Sequence, residues 1–207
     1  GSLQHLEREL DLLGAKRALV LSTPEQRGQA DDIAKRLGAH AVGVYDKAVM
    51  HTPIESARAG REEAKRVNAD CAIAIGGGST IGLGKAIALD SSLPILAIPT
   101  TYAGSEMTPI LGITENGIKT TLRDGRMLPK TVIYDADLTL TLPAKLSATS
   151  GMNAIAHSVE ALYAKEANPI ISLMAEESIR VLADALPKIT RNSQDLAARS
   201  DAQYGAW

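Results

Sequence analysis

Two stretches carry residues whose types and spacing can do chemistry. The first is DCAIAIGGGSTIGLGKAIA, residues 70–88. An apolar run at 71–75 ends in three glycines, Gly76, Gly77 and Gly78, followed by Ser79 and Thr80 and then a segment, 81–89, able to form a helix. A strand that turns on glycines into a helix N-terminus suits a phosphate. Without Cβ atoms the backbone approaches an anion closely, and the unbonded N–H groups and positive dipole end of the helix face it. The alternative is a tight strand-to-helix turn with no ligand. The spacing is neither G-x-G-x-x-G nor that of a P-loop, so the turn by itself names no ligand. In the second stretch, SGMNAIAHSVEALYA, the residues Asn153, His157 and Glu160 stand at i, i+4 and i+7 and share one helix face. An Asp–His pair at that spacing begins a divalent-metal site. Asn153 is instead a neutral amide and a poor ligand for a hard cation, and two protein ligands are too few, so the residues alone make no metal site. The plain alternative for His157 is a satisfied structural histidine.

The elements that must position these residues alternate. Leu3, Leu6, Leu10 and Leu13 recur at helical spacing and Gly14 closes that helix. A strand is predicted at 18–21, a helix at 24–37 closed by Gly38, and a strand at 41–45. Thr52-Pro53-Ile54-Glu55 reads as a capping box with proline at the first helical position, opening a helix that runs to about Val67. Beyond the glycine turn come a buried strand at 94–98, ending at Pro99-Thr100-Thr101, and a hairpin over 107–122 turning at Asn116-Gly117. A last short strand lies at 132–134. This order predicts an α/β fold, a parallel sheet covered on both faces. From Pro143 the pattern becomes helical, at 144–164, 170–186 and from about Asp195 onward. The expected organisation is an α/β dinucleotide-binding domain over 1–142 and the beginning of an all-helical substrate domain over 143–207. Trp207 closes a helical pattern with no cap or breaker, which predicts an incomplete helical domain.

The chain has 207 residues, enough for one or two domains, and its 45% hydrophobic and 22% charged content is that of a globular protein. A net charge of −2 without runs of one sign argues against nucleic-acid and anionic-membrane partners, and the lack of Phe argues against a base-stacking surface. The single cysteine, Cys71, lies in the apolar run and reads as a small core residue. No apolar stretch reaches the length of a membrane span and no signal peptide is visible, so a cytoplasmic location is expected.

Together GGGSTIGLGKAIAL, IPTTYAGSEMTPILGIT, LPKTVIYDADLTLTLP and SGMNAIAHSVEALYA resemble the iron-containing alcohol dehydrogenase superfamily, and within it most closely the maleylacetate reductases. The resemblance spans essentially the whole chain and implies a fragment of about the first half or more. It implies an N-terminal α/β domain and a helical domain, with NADH or NADPH as cofactor. Carried onto this chain, it implies that Gly76, Gly77, Gly78 and Ser79 hold the pyrophosphate. Thr100 and Thr101 would line the cofactor, with Thr108 on the same wall, and Lys119 would reach the nicotinamide-side ribose. Threonines that cap a turn and a solvated lysine are the plain alternatives. His157 is the implied catalytic residue and Asn153 a substrate contact. Metal-dependent relatives carry Asp and His where this chain has Asn153 and His157, and no metal is expected. Where many relatives place an Asp for the adenosine ribose, this chain has Ser22-Thr23, which leaves NADH or NADPH open. The implied reaction is reduction of the carbon–carbon double bond of maleylacetate, a small dicarboxylate, to 3-oxoadipate in aromatic-compound degradation, by a homodimer when full length. Two rivals remain: a metal-dependent alcohol dehydrogenase of the same superfamily, and a non-catalytic nucleotide-binding fragment.

Overall fold

The computed structural model describes all 207 residues, and the chain divides into two compact units. One comprises Ser2–Pro99 and Ser105–Tyr134; the other comprises Gly1, Thr100–Gly104 and Asp135–Trp207.

In the first unit a five-stranded sheet is built from β1 (Ala18–Leu21), β2 (Ala41–Tyr45), β3 (Cys71–Gly76), β4 (Ile95–Pro99) and β7 (Thr131–Val132), ordered β2-β1-β3-β4-β7. All its pairings are parallel, with Ala18 beside Cys71 and Gly76 beside Pro99. β1, β3 and β4 are buried along their whole length, which is why they read as unbroken apolar runs: helices cover both faces of such a sheet. These helices are α1 (Leu6–Leu12), α2 (Arg27–Leu37), α3 (Ile54–Arg66) and α4 (Gly78–Ser91). The Asp70 carboxylate accepts the backbone N–H groups of Lys16 (2.9 Å) and Arg17 (2.8 Å), which sets the start of β1 against that of β3. β5 (Ile110–Glu115) and β6 (Ile118–Arg123) form the expected hairpin, with Asn116 and Gly117 both at positive φ (52° and 75°), the geometry such a two-residue turn requires.

Two local expectations are corrected here. Thr52 makes no capping box: Pro53 occupies the cap of α3 and no side chain bonds to the helix end. Thr52 sits at φ 42°, is buried, and its carbonyl accepts the N–H of Thr114 at 3.3 Å, so its backbone is committed to the hairpin. The glycine-turn helix also begins at Gly78, three residues before Ile81.

The second unit contains α5 (Ala144–Tyr163), α6 (Pro169–Arg191) and α7 (Leu196–Ala206). Its core joins Tyr102 and Ala154 to Leu182, Ala185, Leu186, Ile189, Ala198 and Ala202. α6 does not stop at Leu186 as expected, but continues through Pro187 to Arg191. Burying Ile189 in this core outweighs the one helical hydrogen bond that proline removes. A fully buried Arg199 ties the unit together, donating to the carbonyls of Ser193 (2.8 Å) and Leu142 (2.9 Å) and to the hydroxyls of Ser147 (3.1 Å) and Tyr102 (3.4 Å).

Candidate functional site

In a parallel open sheet the crevice for a ligand lies beyond the carboxyl ends of the strands, where the strand order reverses. Here β1 leads outward to β2 on one side and β3 leads to β4 on the other, so the reversal lies between β1 and β3. Ser22 and Thr23 follow the end of β1, and the glycine turn follows β3.

The turn has the geometry of an anion cradle. Gly76 has φ 153°, and a Cβ there would come within 2.4 Å of Thr80 Oγ1 and 2.8 Å of Gln26 Oε1. Glycine is therefore required at this position by conformation and by space. Gly77 caps α4 in an extended conformation, and no side chain bonds to the helix end. The N–H groups of the first turn are left for a ligand or solvent. Thr80 Oγ1 and Ser22 Oγ are buried without a hydrogen-bond partner. Buried hydroxyls are seldom left so, and these two flank the switch point. Gly77 and Ser79 are half-buried and Gly78 is exposed, so a ligand can reach them. The residues present fit a dinucleotide phosphate.

Thr108 and Lys119 belong to the same unit. Thr108 Oγ1 accepts from Lys85 Nζ at 3.1 Å and donates to the Ser105 carbonyl at 3.4 Å. Lys119 lies on β6, exposed, with its stem laid across the adjoining strand: a Cβ on Gly112 would meet Lys119 Cε at 2.5 Å.

Lys85, Glu106 and Tyr134 went unread in the sequence. Lys85 and Glu106 are buried, and the Tyr134 hydroxyl donates to Glu106 Oε1 at 2.9 Å. Burial drives the Lys85 ammonium down to about 8, against a smaller upward pull from Glu106. Burial pushes the Glu106 carboxyl up, opposed by hydrogen bonds to it and by Lys85. A signal did exist: residues 81–89 are apolar on every helical face except for one lysine, and a helix buried all round buries its lysine too.

Thr100, Thr101, Asn153 and His157 lie in the other unit. Thr100 is buried and Thr101 half-buried, on a loop held where the Tyr102 N–H donates to Ser150 Oγ at 2.9 Å. The predicted face of α5 exists: Asn153, His157 and Glu160 are all exposed, and His157 Nδ1 stands 3.6 Å from Glu160 Oε2. Both side chains are about two-thirds exposed (65% and 66%), so this contact is weak. No three His, Cys, Asp or Glu side chains of the chain gather as metal ligands. Cys71 is buried in β3 and its thiol is pushed up to about 12, chiefly by burial, which makes it a core residue rather than a nucleophile.

Residues 1–136 match the model of the iron-containing alcohol dehydrogenase family, and residues 147–207 match that of the C-terminal part of the Fe-containing alcohol dehydrogenase family. The chain is 64% identical over 207 residues to a maleylacetate reductase of Burkholderia cepacia, covering 100% of this chain and 59% of that protein. It is 58% identical over 207 residues to a maleylacetate reductase of Sphingobium indicum, covering 100% of this chain and 58% of that protein. The crystal structure of a maleylacetate reductase from Agrobacterium tumefaciens superposes with a TM-score of 0.97 at 54% identity, over 100% of this chain and 59% of that one. The chain thus spans a little under three-fifths of the length of these relatives.

Proposed function

The chain belongs to the iron-containing alcohol dehydrogenase family, and from that premise we propose that it is part of a nicotinamide-dependent maleylacetate reductase acting in the cytoplasm. The single observation carrying the cofactor assignment is the glycine turn at the β1/β3 switch point, with its uncapped helix and unpartnered hydroxyls. The substrate assignment is supported by high identity to maleylacetate reductases across the whole chain.

When bound, NADH or NADPH supplies a hydride to the alkene carbon β to the substrate's ketone, and a proton added at the neighbouring carbon completes 3-oxoadipate. The chain's own residues do the rest. N–H groups of Gly77, Gly78 and Ser79 hold the pyrophosphate at the positive end of α4. By family resemblance, Thr100, Thr101, Thr108 and Lys119 are the further residues that would contact the cofactor. Asn153 donates its amide N–H to a substrate carboxylate. His157 holds the proton or a carboxylate.

The residues present do not fit the iron of the family's name. Asn153 brings no charge to His157, Glu160 meets it only as an exposed contact at 3.6 Å, and no three His, Cys, Asp or Glu side chains of this chain gather as ligands. We infer activity without iron. Elemental analysis should find well under one metal per subunit, and maleylacetate-dependent NADH oxidation should survive exhaustive chelation. Activity lost on chelation and restored by Fe²⁺ or Zn²⁺ would return the protein to the metal-dependent dehydrogenases.

The cofactor site is tested by Gly77→Asp. At a helix cap aspartate is as good as glycine or better, and the backbone there, at φ −91°, suits any residue. The fold should survive, by circular dichroism, while the new carboxylate repels the pyrophosphate. NADH binding, followed by fluorescence titration, should fall below detection. An unchanged dissociation constant would refute the assignment.

A further inference from the structure

Behind the glycine turn sits a buried cation. Lys85 lies on α4 with no exposed surface. Its Nζ donates to the carbonyls of Ser105 (2.6 Å) and Ile110 (2.8 Å) and to Thr108 Oγ1 (3.1 Å), with Ser105 Oγ at 3.3 Å. An ammonium has three protons and no lone pair, so these four oxygens take up all of its donors. Every one of them belongs to the short stretch between Ser105 and Ile110, and every one is neutral. Burying a charge among neutral groups costs more than filling the same space with an apolar side chain. Stability alone therefore does not account for a lysine here. What the cation does that methionine would not is hold three parts of one turn at fixed distances from a single atom.

We infer that Lys85 is a positioning residue: its ammonium fastens the Ser105–Ile110 turn, and with it the Thr108 hydroxyl, to the helix whose N-terminus is the glycine turn. This rests on reading that turn as the cofactor site. Thr108 accepts from Lys85 and donates to the Ser105 carbonyl, so its proton is already engaged. It can offer a ligand only a lone pair, in a direction that the cage sets.

The charged groups around Lys85 are few. Glu106, from the same turn, is the one that acts on it electrostatically, and Tyr134 holds that carboxyl. From α3, Arg61 donates to the Ala86 carbonyl (2.9 Å) and pairs with Asp90 at 2.7 Å, which engages its charge locally. Loss of the Lys85 proton, centred at about 8, leaves two N–H donors and a lone pair facing four oxygens. The turn should then loosen, and cofactor affinity should fall as pH rises through that value.

The test measures NADH dissociation constants and steady-state kinetics between pH 7 and 9.5 for the full-length enzyme and for Lys85→Met and Thr108→Val. For the wild type, the NADH dissociation constant should rise above pH 8. Lys85→Met should raise KM for NADH about tenfold at pH 7.5 with kcat changed about threefold or less, and should show no such rise. A folded Lys85→Met with wild-type NADH affinity and a wild-type pH profile would overturn the inference. Should Lys85→Met fail to fold, the wild-type profile and Thr108→Val decide. A flat wild-type profile, or Thr108→Val with unaltered affinity, overturns it. Wild-type protein that binds no NADH at any pH instead overturns the cofactor reading beneath it.

Discussion

Adjacent glycines in the turn do different work. Gly76 is needed by the fold, because its φ of 153° and the crowding by Thr80 and Gln26 admit no side chain. Gly77 has an ordinary backbone conformation, and in this reading it is glycine because a ligand comes close. The distinction predicts opposite failures. Gly76→Ala adds backbone strain and a steric clash, each of about 1–3 kcal/mol. Denaturant unfolding should therefore show a loss of roughly 2–6 kcal/mol, with cofactor binding lost only as a consequence. Gly77→Asp should lose the cofactor and keep the stability. Equal stability of Gly76→Ala and wild type would mean that the turn can relax around a methyl group, and the fold would not need its glycine.

Elements were read well where one local signal decided them. Unbroken apolar runs bounded by glycine and proline revealed β1, β3 and β4, because strands buried on both faces cannot alternate. Asn116-Gly117 disclosed its hairpin because few residues take positive φ twice in succession. Reading failed where tertiary contacts overrode local preference. The helix expected over 170–186 ends later, because the core around Ile189 carries α6 past Pro187. Thr52 looked like a cap, yet the hairpin claims its backbone. The candidate site divides in the same way. The glycine turn and the α5 face follow from spacing along one helix or one turn, and both stand where spacing put them. The Lys85–Glu106–Tyr134 group joins residues far apart in sequence, and only the folded chain brings them together.

For the whole molecule, these buried groups set how stability varies in alkali. Stability rises with pH wherever the unfolded chain binds more protons than the folded one. Lys85 titrates at about 8 when folded and at 10.5 when free, so between these values the unfolded chain holds the extra proton and stability rises. Cys71 works the other way: its thiol titrates at about 12 folded against 9.0 free, so the folded chain holds the extra proton and stability falls above pH 9. Tyr134, pushed up from 10.0 chiefly by burial, adds to that fall above pH 10. Between pH 8 and 9 only Lys85 is in play, and the melting temperature should climb; above 10 it should drop. Lys85→Met should abolish the climb, and Cys71→Ala should extend it from pH 9 toward pH 10. A melting temperature that falls steadily from pH 8 would mean that Lys85 keeps its proton in the fold. The climb is also what separates Lys85's two effects, since cofactor affinity should weaken over the same interval in which the fold becomes more stable. A lysine that merely held the structure together would move both in one direction.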